Sequence, residues 1–497
     1  MANEPNANTL SAFSSSVTAS PPATRTETVR GGSSTSAGSE IDPGFAMVLF
    51  GGPLTGGQVR DVRLANELAA RGYRVHAWWA MDRPRNSPLR PEIGEHWLFS
   101  AARYLQFKLG DHGREIKDAL GKAVCRCSPH NFFSDYAQRR SWRVAWSMRC
   151  LLLRACHGAE ADVRLARRFA RELTRARVTH VLPMEAVISP WVLAARLLSR
   201  RPFRYLVTFQ GYEVAANYVL GGGMERRLYE RLRDATLRSD WPAVAVSDDY
   251  ARRVMHDLDI PQTWIRTIPP GVPAPAPISR AQAAQAVAAA FDDYRPDLPL
   301  VTFVGRRDAE KGIDLLLYAA SILRDRGVKL QLAVCGPTLH GAGYVDACRQ
   351  IARNLRFPVL WGGYIGDELR SALFAASRAV VYPSIHGEPF GMVPVEAMAH
   401  GAPVVVPDHG GITEAIQAED RVGGLLFRAW DSGHLADQIG RLLWDEDLWQ
   451  RLSAAGPLIA EHYSVARMTD RILEHIGLPP RPQHAPIQPP RTYAGAS

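Results

Sequence analysis

The stretch EPFGMVPVE at residues 388–396 places two glutamates on either side of a predicted helix start. The runs AVVY at 379–382 and PVVV at 403–406 are apolar and rich in β-branched residues, which predicts a buried strand on each side. Proline is tolerated before a helix or in its first turn, so Pro389 and Pro394 limit where this helix begins. The order of strand, loop, helix and strand predicts an α/β fold.

The two glutamates of this stretch can hold the polar parts of a single ligand. Ionised carboxylates accept hydrogen bonds from sugar or ribose hydroxyls, and the backbone N–H groups of a helix start attract an anion such as a diphosphate. The alternative is that Glu388 is a solvated loop residue and that Glu396 interacts only with the helix dipole. Other segments of the sequence are needed to decide between these two interpretations.

A second strand-to-helix turn, GRRDAEKG at 305–312, carries cations. It follows an apolar run at 298–304 and precedes an apolar-periodic helix that starts at Ile313. Arg306 and Lys311 flank this turn, and cations there would offset the charge on a departing nucleotide diphosphate without a metal ion. A basic turn alone can be a solvated loop, but the two complementary turns favour a sugar nucleotide site.

Around these turns the chain resembles the retaining GT-B glycosyltransferases of family 4. The resemblance is carried by VGRRDAEKGIDLLLYA at 304–319 and HGEPFGMVPVEAMAHGAPVVV at 386–406, with further agreement at 410–416 and 423–427. It implies an α/β protein with two Rossmann-like domains that face each other across a cleft, which is the GT-B fold.

The resemblance also implies roles for the residues of both turns. Glu388 would hold hydroxyls of the donor sugar, and Glu396 would hold the ribose. Arg306 and Lys311 would hold the diphosphate, so the expected catalytic residues are these two cations and Glu388. The other expected donor contacts in this half are Gly305, Pro389, Phe390, Gly391, Met392 and Val393.

The N-terminal half shows a similar arrangement. An apolar run at 45–50 predicts a strand, and GGPLTGGQ at 51–58 predicts a glycine-rich turn before a helix. Such a turn lets the backbone approach a ligand closely, although many only make a tight connection. Gly56 and Gly57 resemble the loop of the family that faces the donor phosphates.

The segment TFQGYE at 208–213 resembles a strand-end motif in which the family usually has histidine where this chain has Gln210. Glutamine can hydrogen bond a hydroxyl but cannot carry a proton at neutral pH, so either the histidine is not needed or activity is reduced. Gln210 and Glu213 are possible contacts of the acceptor or the sugar. A carboxylate at this place is more often a helix cap or an ion-pair member.

At 497 residues the chain is long enough for two α/β domains. We expect an acceptor-side domain at 45–272, a linker at 273–297 and a donor-nucleotide domain at 298–478. The Ser-, Thr-, Ala- and Pro-rich residues 1–44 and the Pro-rich residues 479–497 are expected to be disordered tails.

Composition narrows the remaining possibilities. No apolar run reaches the ~18 residues that span a bilayer, and the N-terminal tail lacks an apolar signal core, so we expect a cytoplasmic protein. The six cysteines form no CxxC pair, which is typical of reduced thiols. The acidic clusters at 292–293 and 445–447 are weak metal candidates, and we expect neither a metal nor a cofactor.

The net charge of +9 is concentrated in an arginine-rich segment at 139–177 that also contains tryptophans. This pattern predicts either a basic amphipathic surface that rests on an anionic membrane or a solvated helix face whose arginines lie over the acceptor domain. No nucleic-acid-binding module accompanies the charge. A peripheral position at the inner face of the membrane is therefore one of two interpretations.

Taken with the resemblance, these features predict retaining hexosyl transfer from a UDP- or GDP-sugar to a hydroxyl acceptor of unknown type. The expected setting is polysaccharide, glycolipid or glycoconjugate biosynthesis. No second carboxylate is evident for the opposite face of the sugar, which favours same-face attack. The alternatives are a catalytically silent scaffold or regulatory subunit, favoured by Gln210, and a non-transferring sugar nucleotide enzyme such as a 2-epimerase.

Overall fold

The structure is a computed structural model, and we describe seven ranges of it: 42–49, 56–79, 87–97, 166–183, 186–211, 223–338 and 342–482. These residues belong to one compact unit. Glu213 and the part of the basic segment before residue 166 lie outside the described residues.

A parallel sheet forms the first part of the N-terminal half. Its strands are β1 (Gly44–Leu49), β2 (Arg74–Trp79), β3 (Gly94–Trp97), β4 (His180–Pro183) and β5 (Arg204–Tyr205). They lie in the order β3-β2-β1-β4-β5, and every residue of β1 is buried, as expected for a central strand of a parallel sheet. The helices in this part are α1 (Gly56–Ala70), α2 (166–175) and α3 (Ser189–Leu198), with a 3-10 turn at Ala186–Ile188 before α3.

A smaller parallel sheet completes this half. It consists of β6 (Thr208–Phe209), β7 (Ala243–Ala245) and β8 (Ile265–Thr267), in that order. Its helices are α4 (Gly223–Leu237) and α5 (Asp248–Leu258), followed by a 3-10 turn at Gln262–Trp264.

The C-terminal half is built on a second large parallel sheet. Its strands are β9 (Leu300–Val304), β10 (Gln331–Cys335), β11 (Val359–Trp361), β12 (Ala379–Val381) and β13 (Val404–Pro407), and a later strand described below completes the sheet. The helices are α6 (Arg280–Ala290), α7 (Ile313–Asp325), α8 (Ala342–Asn354), α9 (Asp367–Ala376), α10 (Met392–Ala399) and α11 (Ile412–Ala415), with a 3-10 turn at Ala309–Lys311.

The last elements close this sheet and return to the first half. They are β14 (Gln417–Ala418), β15 (Arg421–Val422), β16 (Gly424–Phe427), α12 (Ser432–Trp444), α13 (Glu446–His462) and α14 (Val465–His475). The strands β14 and β15 form an antiparallel pair, and the sheet order is β11-β10-β9-β12-β13-β16. The predicted α/β fold with parallel sheets is confirmed. No helix in the described part of the chain is long and apolar enough to cross a membrane.

Two features of the connection between the halves were not predicted. The segment 273–297, expected to be a linker, contains α6, which begins with a capping box of Ser279 and Gln282 and buries Ala283 and Val287. The predicted domain boundaries themselves stay predictions.

Helix α14, expected to belong to the donor domain, packs its apolar face into the core of the N-terminal half. Met468 and Leu473 join a buried cluster with Leu64 and Leu68 of α1. The chain therefore crosses between the halves twice. At the crossing, the N–H of Val272 donates to the carbonyl of Tyr463 at 2.8 Å, and the N–H of Val465 donates to the carbonyl of Val272 at 3.1 Å.

Candidate functional site

The two turns identified in the sequence lie side by side in the structure. They follow β9 and β12, which are parallel neighbours in the sheet, so both turns lie at the carboxyl ends of its strands. The N–H of Ile385 donates to the carbonyl of Glu310 at 3.0 Å, and Oγ of Ser384 lies 3.1 Å from the same carbonyl oxygen. These contacts fix the cationic turn against the loop that carries Glu388.

Lys311 and Glu388 form a buried ion pair at the centre of this contact. The Lys311 ammonium donates to Oε1 of Glu388, and the Ser384 hydroxyl donates to the same oxygen at 2.7 Å. Burial alone would lower the pKa of Lys311, but Glu388, together with Tyr382 and Glu310, outweighs burial and raises that pKa. The lysine is therefore charged, and its Nζ lies 5.6 Å from the centroid of the Tyr382 ring.

Arg306 is held by the acidic residues of its own turn. Its guanidinium pairs with Asp308 at 2.5 Å and with Glu310. Burial alone would raise the pKa of Glu310, but Lys311 and Arg306 outweigh it and lower that pKa to about 2. Together with Glu388, three carboxylates thus surround two cations, and a diphosphate bound to Arg306 would be repelled by each carboxylate that stays in place. Glu310, whose side chain is 40% exposed, is the one best able to move.

The loop with Glu388 ends where α10 begins. Gly391 is the N-cap, with a φ of +91° that favours glycine, and a Cβ atom there would lie 2.8 Å from Cγ1 of Ile412. A glycine N-cap has no side chain with which to cap the helix, which suits an anion site at the first backbone N–H groups. Met392 and Val393 open this helix, as the sequence predicts.

Glu396 lies on the same helix and is surrounded by cations from both halves. Nη2 of Arg63 donates to its Oε1 at 2.6 Å, and Nε of Arg370 lies 3.7 Å from its Oε2. Burial alone would raise the pKa of Glu396, but Arg370 and then Arg63 outweigh it and lower that pKa. Sequence reasoning missed both arginines, because neither lies in a motif near Glu396.

Gly56 and Gly57, the described end of the glycine-rich turn, lie close to Met392 and to Gln210 respectively. A Cβ atom at Gly56 would lie 3.5 Å from the Met392 methyl group, and one at Gly57 would lie 2.9 Å from Oε1 of Gln210. Nε2 of Gln210 donates to Oδ2 of the buried Asp61 at 2.9 Å. Asp61 is a third polar residue, after the two arginines, that the sequence did not indicate.

The two halves also touch directly around Pro389. A Cβ atom at Gly211 would lie 2.3 Å from Cγ of Pro389, and the Ser247 hydroxyl donates to the Pro389 carbonyl at 2.5 Å.

Next to this contact, the Glu414 carboxylate accepts the N–H groups of Asp248 and Asp249 at 2.8 and 2.7 Å, at the start of α5. The two halves are therefore joined at Glu414 as well as at Pro389.

The remaining predicted site residues have packing positions. Gly305 lies beside the Tyr382 ring, and the buried Phe390 packs edge-on against Tyr463 at 5.2 Å between ring centroids.

The weak metal candidate at 445–447 lies between α12 and α13, where Asp445 accepts the N–H of Leu448 at 2.9 Å and caps α13. Among the described residues, no three His, Cys, Asp or Glu side chains group as metal ligands.

Solved structures with a similar fold identify the class. HepE from Anabaena, solved in complex with UDP and glucose, superposes with a TM-score of 0.63 over 87% of this chain and 99% of its own, at 16% identity. Sucrose-phosphate synthase from Thermosynechococcus elongatus gives a TM-score of 0.62 over 88% of this chain and 98% of its own, at 18% identity. The fold is that of the GT-B glycosyltransferases, as expected.

Sequence comparison shows which family part of the chain resembles. Residues 291–458 match the model of glycosyl transferases group 1. The D-inositol 3-phosphate glycosyltransferase of Nocardia farcinica is 32% identical over 237 residues, 46% of this chain and 51% of the relative. The α-D-kanosaminyltransferase of Streptomyces kanamyceticus is 34% identical over 187 residues, 37% of this chain and 47% of the relative. The chain spans about half the length of these relatives.

Proposed function

We propose that the protein transfers a sugar from a nucleotide diphosphate sugar to a hydroxyl acceptor. The observation that carries the proposal is the buried pair of Lys311 and Glu388 beside Arg306, at the sheet edge that also presents the start of α10. The relatives named above transfer sugars, which supports the same reaction class. The donor would lie between this edge and the glycine-rich turn at Gly56.

In this proposal the charges act mainly on the leaving group. Negative charge grows on the departing diphosphate, so Lys311, Arg306 and the N–H groups at the start of α10 stabilise the transition state more than the bound donor. Glu388 holds a sugar hydroxyl with its Oε2, because Lys311 and Ser384 both donate to its Oε1. Arg306 exchanges its bond to Glu310 for the diphosphate, and the Glu310 side chain turns toward solvent, which reduces the repulsion between the two anions.

We infer same-face attack with retention and no metal requirement. Gln210, at the place of the family's histidine, is tied to Asp61 and would bind a hydroxyl rather than accept its proton. Lys311, Arg306 and the N–H groups at the start of α10 take the place of a metal at the diphosphate. Anomeric analysis of the product by NMR tests retention, and an inverted product contradicts it. Turnover that EDTA abolishes and Mg²⁺ restores contradicts the metal-free mechanism.

A thermal-shift panel of UDP- and GDP-sugars tests donor binding. A ligand at about 100 times its Kd stabilises a protein by about 2.7 kcal/mol, so at least one donor should raise the melting temperature clearly. Glu396→Gln should reduce this shift, whereas Asp437→Asn, on the exposed face of α12, should leave it unchanged. If no donor raises the melting temperature of the wild type, the proposal is wrong.

The two alternative functions have different outcomes. A catalytically silent scaffold would bind a donor without releasing a nucleoside diphosphate. A 2-epimerase would change the sugar of its substrate with no acceptor present, so product analysis with and without acceptor separates it from a transferase. The ion pair at Glu388 and the match of residues 291–458 to glycosyl transferases group 1 favour transfer.

We also propose that helix α2 helps the protein bind an anionic membrane, where a glycolipid or polysaccharide acceptor would be presented. Its Arg167, Arg168 and Arg171 are exposed, while Phe169 and Leu173 are buried in the protein. The described turns of α2 would therefore bind a membrane through their positive charge and not by inserting apolar side chains into it.

Co-sedimentation with phosphatidylserine vesicles tests this interaction. At about 1 kcal/mol for each arginine, neutralising these three should weaken vesicle binding roughly 100-fold. If the wild type does not sediment at low salt, membrane binding is excluded.

A further inference from the structure

Glu396, the proposed ribose carboxylate, has its closest cation on the opposite half of the molecule. Arg63 lies on α1, and its Nη2 donates to Oε1 of Glu396 at 2.6 Å. The side chains of Arg63 and Glu396 are only 14% and 9% exposed. Because water is largely excluded, this pair interacts more strongly than a solvent-exposed ion pair.

The other nitrogen of the Arg63 guanidinium contacts the connection between the halves. Its Nη1 donates to the carbonyl of Gly271 at 3.1 Å and lies 3.7 Å from the sulfur of Met392. Gly271 is next to Val272, whose backbone bonds to the returning chain at Tyr463. One side chain therefore joins the donor helix to the place where the chain crosses between the halves.

We propose that Arg63 is a positioning residue that orients the Glu396 carboxylate for ribose hydroxyls and couples nucleotide binding to the approach of the two halves. This inference rests on the proposed function. A carboxylate offers about four acceptor positions, so the bond from Arg63 leaves room for two hydroxyls. Without Arg63, Glu396 would stay buried with Arg370 as its nearest cation, at 3.7 Å and without a hydrogen bond.

The direction of the effect follows from this geometry. Arg63 fixes one oxygen of Glu396 and leaves the second oxygen beside Arg370, so it supports the ribose contact rather than competing with it. Removing Arg63 should therefore weaken nucleotide binding. Lysine keeps the charge but carries its donors on one nitrogen instead of the two that contact Gly271 and Glu396, so Arg63→Lys should bind better than Arg63→Ala but worse than the wild type.

A double-mutant cycle with UDP and GDP as probes tests the inference. Calorimetric titration would compare the wild type, Arg63→Ala, Glu396→Gln and the double variant, with folding checked from their melting temperatures. We expect Arg63→Ala to weaken binding about tenfold in the wild-type background, the effect of losing one hydrogen bond to a charged group. In the Glu396→Gln background the same change should weaken binding less than about twofold, because the partner charge is already absent.

Several outcomes would overturn the inference. Unchanged or tighter binding by Arg63→Ala would mean that Arg63 is neutral or competes with the nucleotide. Equal weakening in both backgrounds would mean that Arg63 does not act through Glu396. If neither UDP nor GDP binds the wild type, the proposed function fails and this inference fails with it, whereas wild-type binding with an additive cycle refutes the inference alone.

Discussion

Replacing Glu388 by glutamine should destabilise the fold as well as the reaction. The variant Glu388→Gln keeps the shape of the side chain and an acceptor for the Ser384 hydroxyl, but it leaves the Lys311 ammonium, 7% exposed, without its closest carboxylate. Removing one partner of a buried pair costs about 3–5 kcal/mol. Because Oε1 of Glu310 lies 3.6 Å from the ammonium and compensates in part, we expect the low end, about 3 kcal/mol.

Thermal unfolding measures this effect. For a domain of about 150–250 residues each kcal/mol shifts the melting temperature by roughly 2–4 °C, so Glu388→Gln should melt about 6–12 °C below the wild type. The double variant Glu388→Gln with Lys311→Met removes both charges and should recover at least about half of the loss. A single variant that melts within about 2 °C of the wild type, or a double variant that loses the sum of the two single effects, would refute the reasoning.

Three further predictions concern the surroundings of this pair. The pKa of Glu310 falls from its ordinary 4.5 to about 2 in the folded protein, so its contribution to stability is present above pH 4.5 and lost as the pH falls toward 2. Glu310→Gln should therefore reduce the dependence of the unfolding free energy on pH between 4.5 and 2. An unchanged dependence would contradict this. Gly211 has a φ of +130°, so Gly211→Ala would be strained by about 1–3 kcal/mol and its Cβ atom would clash with Pro389. The rise in melting temperature on nucleotide binding should therefore be smaller in this variant. An unchanged rise would show that the contact between Gly211 and Pro389 is not needed. Glu414→Ala removes the acceptor for two N–H groups at the start of α5 and should lower the free energy of unfolding in urea by about 1 kcal/mol. Glu414→Gln keeps one acceptor oxygen and should cost less. Equal costs for the two variants would argue that Glu414 does not cap α5.

The hydrophobic pattern was sufficient to predict the parts of the fold that hold the donor turns. Apolar runs and prolines predicted a strand, a loop and a helix around Glu388, and the structure has β12, the loop and α10 in that order. Helix α6 was not predicted, although the sequence contains a signal for it. Ser279 and Gln282 have the spacing of a capping box, which marks the start of a helix.

The partners of the predicted residues could not be predicted from sequence. Arg63 and Glu396 are 333 residues apart, and Asp61 and Gln210 are 149 apart, so each contact exists only once distant parts of the chain have folded together. The same holds for α14, whose amphipathic pattern predicts a helix but does not indicate which core it covers. The hydrophobic pattern and the motifs identify helices, strands and candidate site residues, whereas the ion pair between the two halves depends on the tertiary fold.

The most direct test of the central claim is the rate of nucleoside diphosphate release from a panel of UDP- and GDP-sugars, measured for the wild type and for Glu388→Gln below the melting temperature of the variant. We predict that at least one donor is consumed by the wild type and that Glu388→Gln slows its release at least about tenfold, since it removes a contact to the reacting sugar. Equal rates for the two proteins, or no release from any donor by the wild type, would contradict the account.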